Sequence, residues 1–187
     1  MNIWKINAQD GYKSFIRIDE NGKQIFEKNF DFYDYQNEPS VRILKDDNSE
    51  KLSDFMYYFS GSGTKIVSNR FKEVLESEYP NLKLQFLPTF CKSITDKKLW
   101  AINVYDHADV LDLPKCKYTT SINRKGECVI DEIKEYCFKK EAFEHLIFKV
   151  IFPDRKEMLS IFATDEFIDL FESNGLIGLR KEKVYST

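Results

Sequence analysis

The chain has 187 residues, with 28 lysines and arginines against 31 aspartates and glutamates, and 42% of it is hydrophobic and 15% aromatic. That apolar content excludes a disordered chain, and a net charge of −3 is too mild for a nucleic-acid binder, which needs clustered cations to neutralise phosphate. No stretch approaches the ~20 apolar residues of a membrane helix, and MNIWKINAQDGYK has no signal-peptide core, so the sequence reads as a single cytoplasmic domain over residues 1–187, without nucleic acid or membrane as a partner.

Residues 2–6 alternate well enough for a first strand. After Gly11, SFIRIDENGKQIFEK predicts a hairpin around Asn21-Gly22, with Ile18 facing Ile25, because that dipeptide accepts the positive φ angles of a two-residue turn. This hairpin is expected at one edge of the fold, in an N-terminal region of residues 1–50. From Asn29 to Pro39 the chain interleaves aromatics with acids. Phe30, Asp31, Phe32, Tyr33, Asp34 and Tyr35 either pack as an edge strand or covering loop, or present tyrosines and carboxylates to a protein partner. Residues 41–44 predict another short strand, KDDNSEK a polar loop, and DFMYYF a buried segment. SGSGTK raises a phosphate-binding loop, but the pattern G-x-x-x-x-G-K-[ST] opening directly into a helix is not met. The glycines read as a turn.

IVSNRFKEVLESEYPNLKLQ, starting at Ile66, recurs 96 positions later as IFATDEFIDLFESNGLIGLR, starting at Ile161. Each copy offers two bulky strand residues, then a hydroxyl residue (Ser68, Thr164) to cap orphan amides, then an apolar helical face. The faces are Phe71, Val74, Leu75 and Tyr79 in one copy and Phe167, Leu170 and Phe171 in the other. The pattern predicts an α+β fold. A mixed or antiparallel β-sheet packs against two main helices, at about 68–79 and 164–174, each in a repeated strand-cap-helix-strand unit.

Between the copies, LKLQFLP predicts a strand closed by Pro88, and residues 99–105 a strand apolar enough to be covered on both faces. The sign then changes at Asp106. Asp106, His107, Asp109 and Asp112 are ordinary metal donors or acid/base groups, but Val110, Leu111 and Leu113 are interleaved with them and the spacing fits no ligand signature. A polar connection is the alternative. Residues 116–138 predict a second hairpin turning through Asn123 to Gly126, followed by a short helix in KKEAFEHL and a strand in LIFKVIF ending at Pro153. His145 has no neighbour in sequence that marks it as a base. Asn174-Gly175 predicts a helix stop before a final strand.

Catalytic signatures are missing. There is no G-x-S-x-G, H-E-x-x-H, dinucleotide fingerprint or EF-hand loop, so no catalytic residue, metal or cofactor is assigned. Cys91, Cys116, Cys128 and Cys137 form no C-x-x-C pair and read as small hydrophobes in a reducing compartment, or as two disulfides outside one.

Ser68 at the helix cap, Leu87-Pro88, Trp100 with Asn103, Leu111-Asp112, and Gly175 with Gly178 together resemble a family of bacterial immunity proteins from polymorphic toxin systems, over roughly residues 54–187. The resemblance implies a cytoplasmic, non-enzymatic protein that binds and neutralises a cognate toxin domain. Two surfaces offer themselves for that contact: the aromatic–acidic stretch Phe30 to Tyr35 and the acidic connection Asp106, His107, Asp109 and Asp112. A small-molecule or metal-dependent enzyme using Asp106, His107 and Asp112 is the rival reading, and a structural or oligomeric scaffold the third. The oligomeric state is not legible.

Overall fold

The structure, a computed structural model, describes residues 1–19, 41–47, 49–58, 64–122, 124, 126–151 and 160–187. Strands dominate, and there are two α-helices among the described residues. Six strands close into a barrel: β2 (Ser14–Ile18), β3 (Val41–Asp46), β4 (Phe55–Tyr58), β5 (Lys65–Ser68), β6 (Leu84–Cys91) and β7 (Ile94–Val104). A five-stranded sheet holds β1 (Asn2–Ala8), the two-residue β8 (His107–Ala108), β11 (Ile147–Val150), β12 (Ile161–Thr164) and β13 (Leu179–Ser186), in the order β13-β1-β12-β11-β8. Strands β9 (Lys117–Ile122) and β10 (Cys128–Glu135) form a separate two-stranded ribbon.

The expectation of one sheet against two helices is therefore corrected. Closure joins β2 to β4 and β3 to β6 in parallel, and those pairings link segments far apart in sequence that no local pattern announces. Ile18 pairs with Ile43 of β3; the hairpin expected at Asn21-Gly22, with Ile25 as partner, lies outside the described residues. Pro88 does not close β6, which runs on to Cys91 and turns straight back into β7 through Cys91 and Ile94. Pro88 is tolerated because pairing with β3 starts only at Thr89.

Period-2 alternation explains why so many strands read as continuous apolar runs. Met56, Ile66, Leu87 and Ala101 point into the barrel, where they meet Phe15, Ile18, Val41 and Ile43. Their neighbours Phe55, Val67 and Ile102 point outward, onto the helices and onto Ile6, Ile147, Ile161 and Ala163 of the sheet. Phe148 and Phe162 leave the far face of that sheet and pack with Phe138, Ala142 and Ile3. Three apolar layers result, and most of these strands serve two of them.

Helix α1 (Asn69–Glu78) and helix α2 (Asp165–Ser173) sit in the middle layer, with Phe71 0% and Phe167 1% exposed. Phe71 packs on Phe55, Phe86, Phe167 and Phe171 at centroid distances of 5.8 to 6.4 Å. Arg70, in the first turn of α1, donates to the carbonyls of Asn174 and Gly175 at the end of α2, while the Tyr79 hydroxyl after α1 donates to Glu166 at the start of α2, at 2.5 Å. The helices thus run antiparallel, tied at both ends. Helix α2 stops as the sequence predicts. Gly175 takes φ +60, its N–H reaches Glu172 O at 2.9 Å, and Leu176 N reaches Phe171 O at 3.1 Å.

Candidate functional site

The acidic connection leaves β7 at Asp106 and is threaded between core residues. Val110 and Leu111 are buried in the third layer, and the acids on either side of them go to separate partners. Asp106 is 7% exposed, and its carboxylate accepts from His145 Nδ1 at 2.7 Å and from Lys83 Nζ at 3.3 Å. His107 pairs in parallel with Lys149 of β11 through β8. Asp109 is open to solvent and meets Lys139 at 3.2 Å. Asp112 takes Lys115 Nζ at 2.6 Å, and that bond holds the Lys115 ammonium above its ordinary range. Each carboxylate answers to a cation from a different place, so Asp106, His107 and Asp112 are not assembled into one cluster. Among the described residues no group of three or more histidine, cysteine or acidic side chains is placed to hold a metal.

His145 corrects its sequence reading, since it does have a partner, 39 residues away. The Asp106–His145 pair opens on a cleft of about 550 Å³ between the end of α1, the start of α2 and the 3-10 turn Lys140–Glu144. A carboxylate on Nδ1 fixes the imidazole tautomer, which is half of what a general base needs. The other half is a proton within reach, which a side chain, a water or a bound molecule can supply. Among the described residues lining the cleft there is no serine, threonine or cysteine. The phenol of Tyr79 is already committed to Glu166, which, with burial, pushes its pKa up to about 12. The pair ties Asp106, just before β8, to His145, just after the 3-10 turn, and Lys83 of the α1–β6 connection donates to the same carboxylate. Glu78, Asp106, Glu144 and Glu166 against Lys83 give the cleft an acidic rim.

The residues that carry the family pattern are structural throughout. Ser68 Oγ accepts from Phe71 N at 3.1 Å and donates to the buried Asp54, whose second oxygen accepts from Ile177 N at 3.0 Å. Asp54 thus joins the start of α1 to the chain after α2, and nothing in the sequence singled it out. Leu87 fills the barrel, Trp100 Nε1 donates to Asn69 at 3.0 Å, and Asn103 Nδ2 donates to Gln85 at 3.1 Å. Gly178 has φ +96, and a β-carbon there would lie 2.4 Å from Cβ of Ser53. Lys65, which follows the glycine-rich stretch, opens β5 and not a helix, and the turn expected at Gly61 and Gly63 lies outside the described residues. All four cysteines are free thiols, with Cys91 and Cys116 buried and Cys128 exposed. Phe30, Asp31, Phe32, Tyr33, Asp34 and Tyr35 lie outside the described residues.

A family model described as an immunity protein family, Imm11, matches residues 5–186. The chain belongs to that family. The match takes in most of the N-terminal strand and the 41–53 region as well as nearly all of the 54–187 stretch that carried the resemblance, so residues 5–53 are part of the family unit. No curated protein matches the chain. Among the described residues no helix is long and apolar enough to cross a membrane.

Proposed function

We propose that this chain binds a cognate toxin domain in the cytoplasm of the cell lineage that makes it, and neutralises it by stoichiometric occupation rather than by chemistry. Membership of the immunity family is the observation that carries the reading. The geometry supports it in two ways. The acid groups of the connection are dispersed onto separate lysines, and among the described residues lining the Asp106–His145 cleft there is no serine, threonine or cysteine. The acidic rim of the Asp106–His145 cleft suits long-range steering of a basic partner, which raises association rate more than affinity.

Of the two surfaces, Phe30 to Tyr35 remains the proposed aromatic anchor, because aromatic side chains supply most of the binding energy at protein interfaces. In the acidic connection Asp109 is the acid with an open side chain, so it, and not the buried Asp106, is the proposed contact there. Co-expression with the toxin domain encoded beside this chain tests the reading. Protection and co-purification are expected, and loss of both would remove it. Full protection by a variant with Asp31, Tyr33 and Asp34 all changed to Ala would remove the aromatic surface alone.

A further inference from the structure

The β9–β10 ribbon stands beside the five-stranded sheet, and a cleft of about 900 Å³ separates the two. One wall is residues 131–136, on and just after β10; the other is residues 182–186 of β13, with Lys5 of the neighbouring β1 beside Glu182. Both walls are strand edges. Strand β13 ends the sheet order, and β10 pairs with β9 alone. Among the described residues no strand covers either outer edge, and no backbone bond from outside the strands reaches residues 131–136 or 180–186. An uncovered edge carries a row of N–H and C=O groups whose natural partner is another extended chain.

The floor and rim divide as they do at protein interfaces. Ile133 is buried, Tyr136, Val184 and Tyr185 are half-buried, and the charged side chains of both strands stand around them. The walls converge where Tyr136 and Tyr185 both pack on Phe138, at 5.9 and 5.7 Å between ring centroids. A wall of six residues is about 20 Å long, enough for an extended segment of the same length. The acids Asp131, Glu132, Glu135 and Glu182 stand beside the lysines Lys5, Lys134 and Lys183, so the lining has no excess of cations with which to hold nucleic acid or anionic lipid. Lys134 and Lys183 sit on the edges themselves, where lysine discourages pairing with an identical copy.

We infer that this slot receives an extended segment of the toxin, which adds as a strand between the edges of β10 and β13. The inference rests on the proposed function, since that reading supplies a protein partner; the mode of recognition is strand addition, in which main-chain bonds give affinity and flanking side chains give specificity.

Backbone hydrogen exchange on the full chain tests it, with a catalytically inactive variant of the neighbouring toxin domain as probe. Saturation is expected to slow exchange at residues 131–136 and 182–186 by about tenfold or more, as new ladder bonds require. Lys183→Pro, which removes one edge donor, is expected to weaken the complex by about tenfold with the melting temperature checked alongside. The exchange measurement on the unaltered chain stands whether or not that variant folds. A tight complex that protects only other segments would overturn strand addition and leave stoichiometric neutralisation intact. Absence of any complex would overturn both. Protection of the same edges on concentrating the chain alone would identify a second copy as the occupant and overturn the toxin assignment.

Discussion

The segments β5–α1–β6 and β12–α2–β13 share a sequence pattern and a core, but the cap expected at the start of each helix is made only in the first. In the first unit Ser68 accepts from Phe71 N, and α1 has no acidic residue in its first turn. In the second, Thr164 makes no capping bond. Its Oγ1 turns to Leu146 O at 3.5 Å, and Asp165 and Glu166 place carboxylates in the first turn of α2 instead. Asp165 also accepts from Trp4 Nε1 at 2.7 Å and from Asn2 N at 2.8 Å, so it fastens the first strand to the helix it opens. The positive end of a helix can be answered by a hydroxyl or by a carboxylate, and what stands next to it decides which. Beside Ser68 stands Asp54, which takes the hydroxyl proton; beside Thr164 stands a backbone carbonyl.

Removing the shared core is expected to have the largest effect and to separate the units. Phe71 touches four aromatic rings, and Phe71→Ala is expected to cost about 3–5 kcal/mol in urea unfolding, with Phe167→Ala at or below the low end of that range. Equal losses would mean that the two faces contribute alike despite their different surroundings.

The glycines of the second unit come next. A β-carbon at Gly178 meets Ser53 at 2.3 Å as well as carrying φ +96, whereas at Gly175 it meets only Arg70 Nη2 at 3.5 Å. Gly178→Ala is expected to cost about 2–4 kcal/mol, strain and overpacking together, and Gly175→Ala about 1 kcal/mol from the positive φ. Matching shifts in melting temperature would contradict the close approach to Ser53.

At the caps themselves, Ser68→Ala is expected to cost about 1–2 kcal/mol, since it removes the hydrogen bond to Phe71 N and leaves Asp54 one donor short. Thr164→Val, which keeps the shape, is expected to cost less than half as much. The reverse ranking would show that the threonine hydroxyl does more than its long contact implies.

At the start of α2 a pH dependence is expected as well. Burial works to raise the pKa of Asp165, but the bonds from Trp4 and Asn2 outweigh it and hold the carboxyl below its ordinary 3.8. A group with a lowered folded pKa adds stability above its unfolded value and loses it as pH falls through the folded one. Asp165→Asn is therefore expected to be less stable than the unaltered chain by about 1 kcal/mol at pH 7, with the gap closing below about pH 4. A gap that persists unchanged at pH 3 would assign the loss to packing instead.

Local order was legible in the sequence wherever one residue's neighbours along the chain decide its state. The helix bounds, the stop at Asn174-Gly175, the β9–β10 pairing and the double covering of residues 99–105 all follow from periodicity and backbone freedom. What was not legible depends on distant segments meeting. The barrel exists because β2 finds β4 and β3 finds β6, and the Asp106–His145 and Asp54–Ile177 contacts span 39 and 123 residues. His145 looked partnerless for that reason alone. The acidic connection was correctly divided into apolar and polar positions, yet the burial of Asp106 could not be seen, because the cations that stabilise it come from other elements.

Whether neutralisation is stoichiometric is tested most directly by titrating this chain into a fixed amount of the neighbouring toxin domain, following residual toxin activity and complex mass together. Activity is expected to fall linearly and vanish at one fixed molar ratio, the ratio of the isolated complex. Full inactivation at a small fraction of that ratio, without a stable complex, would show turnover and contradict the binding mechanism.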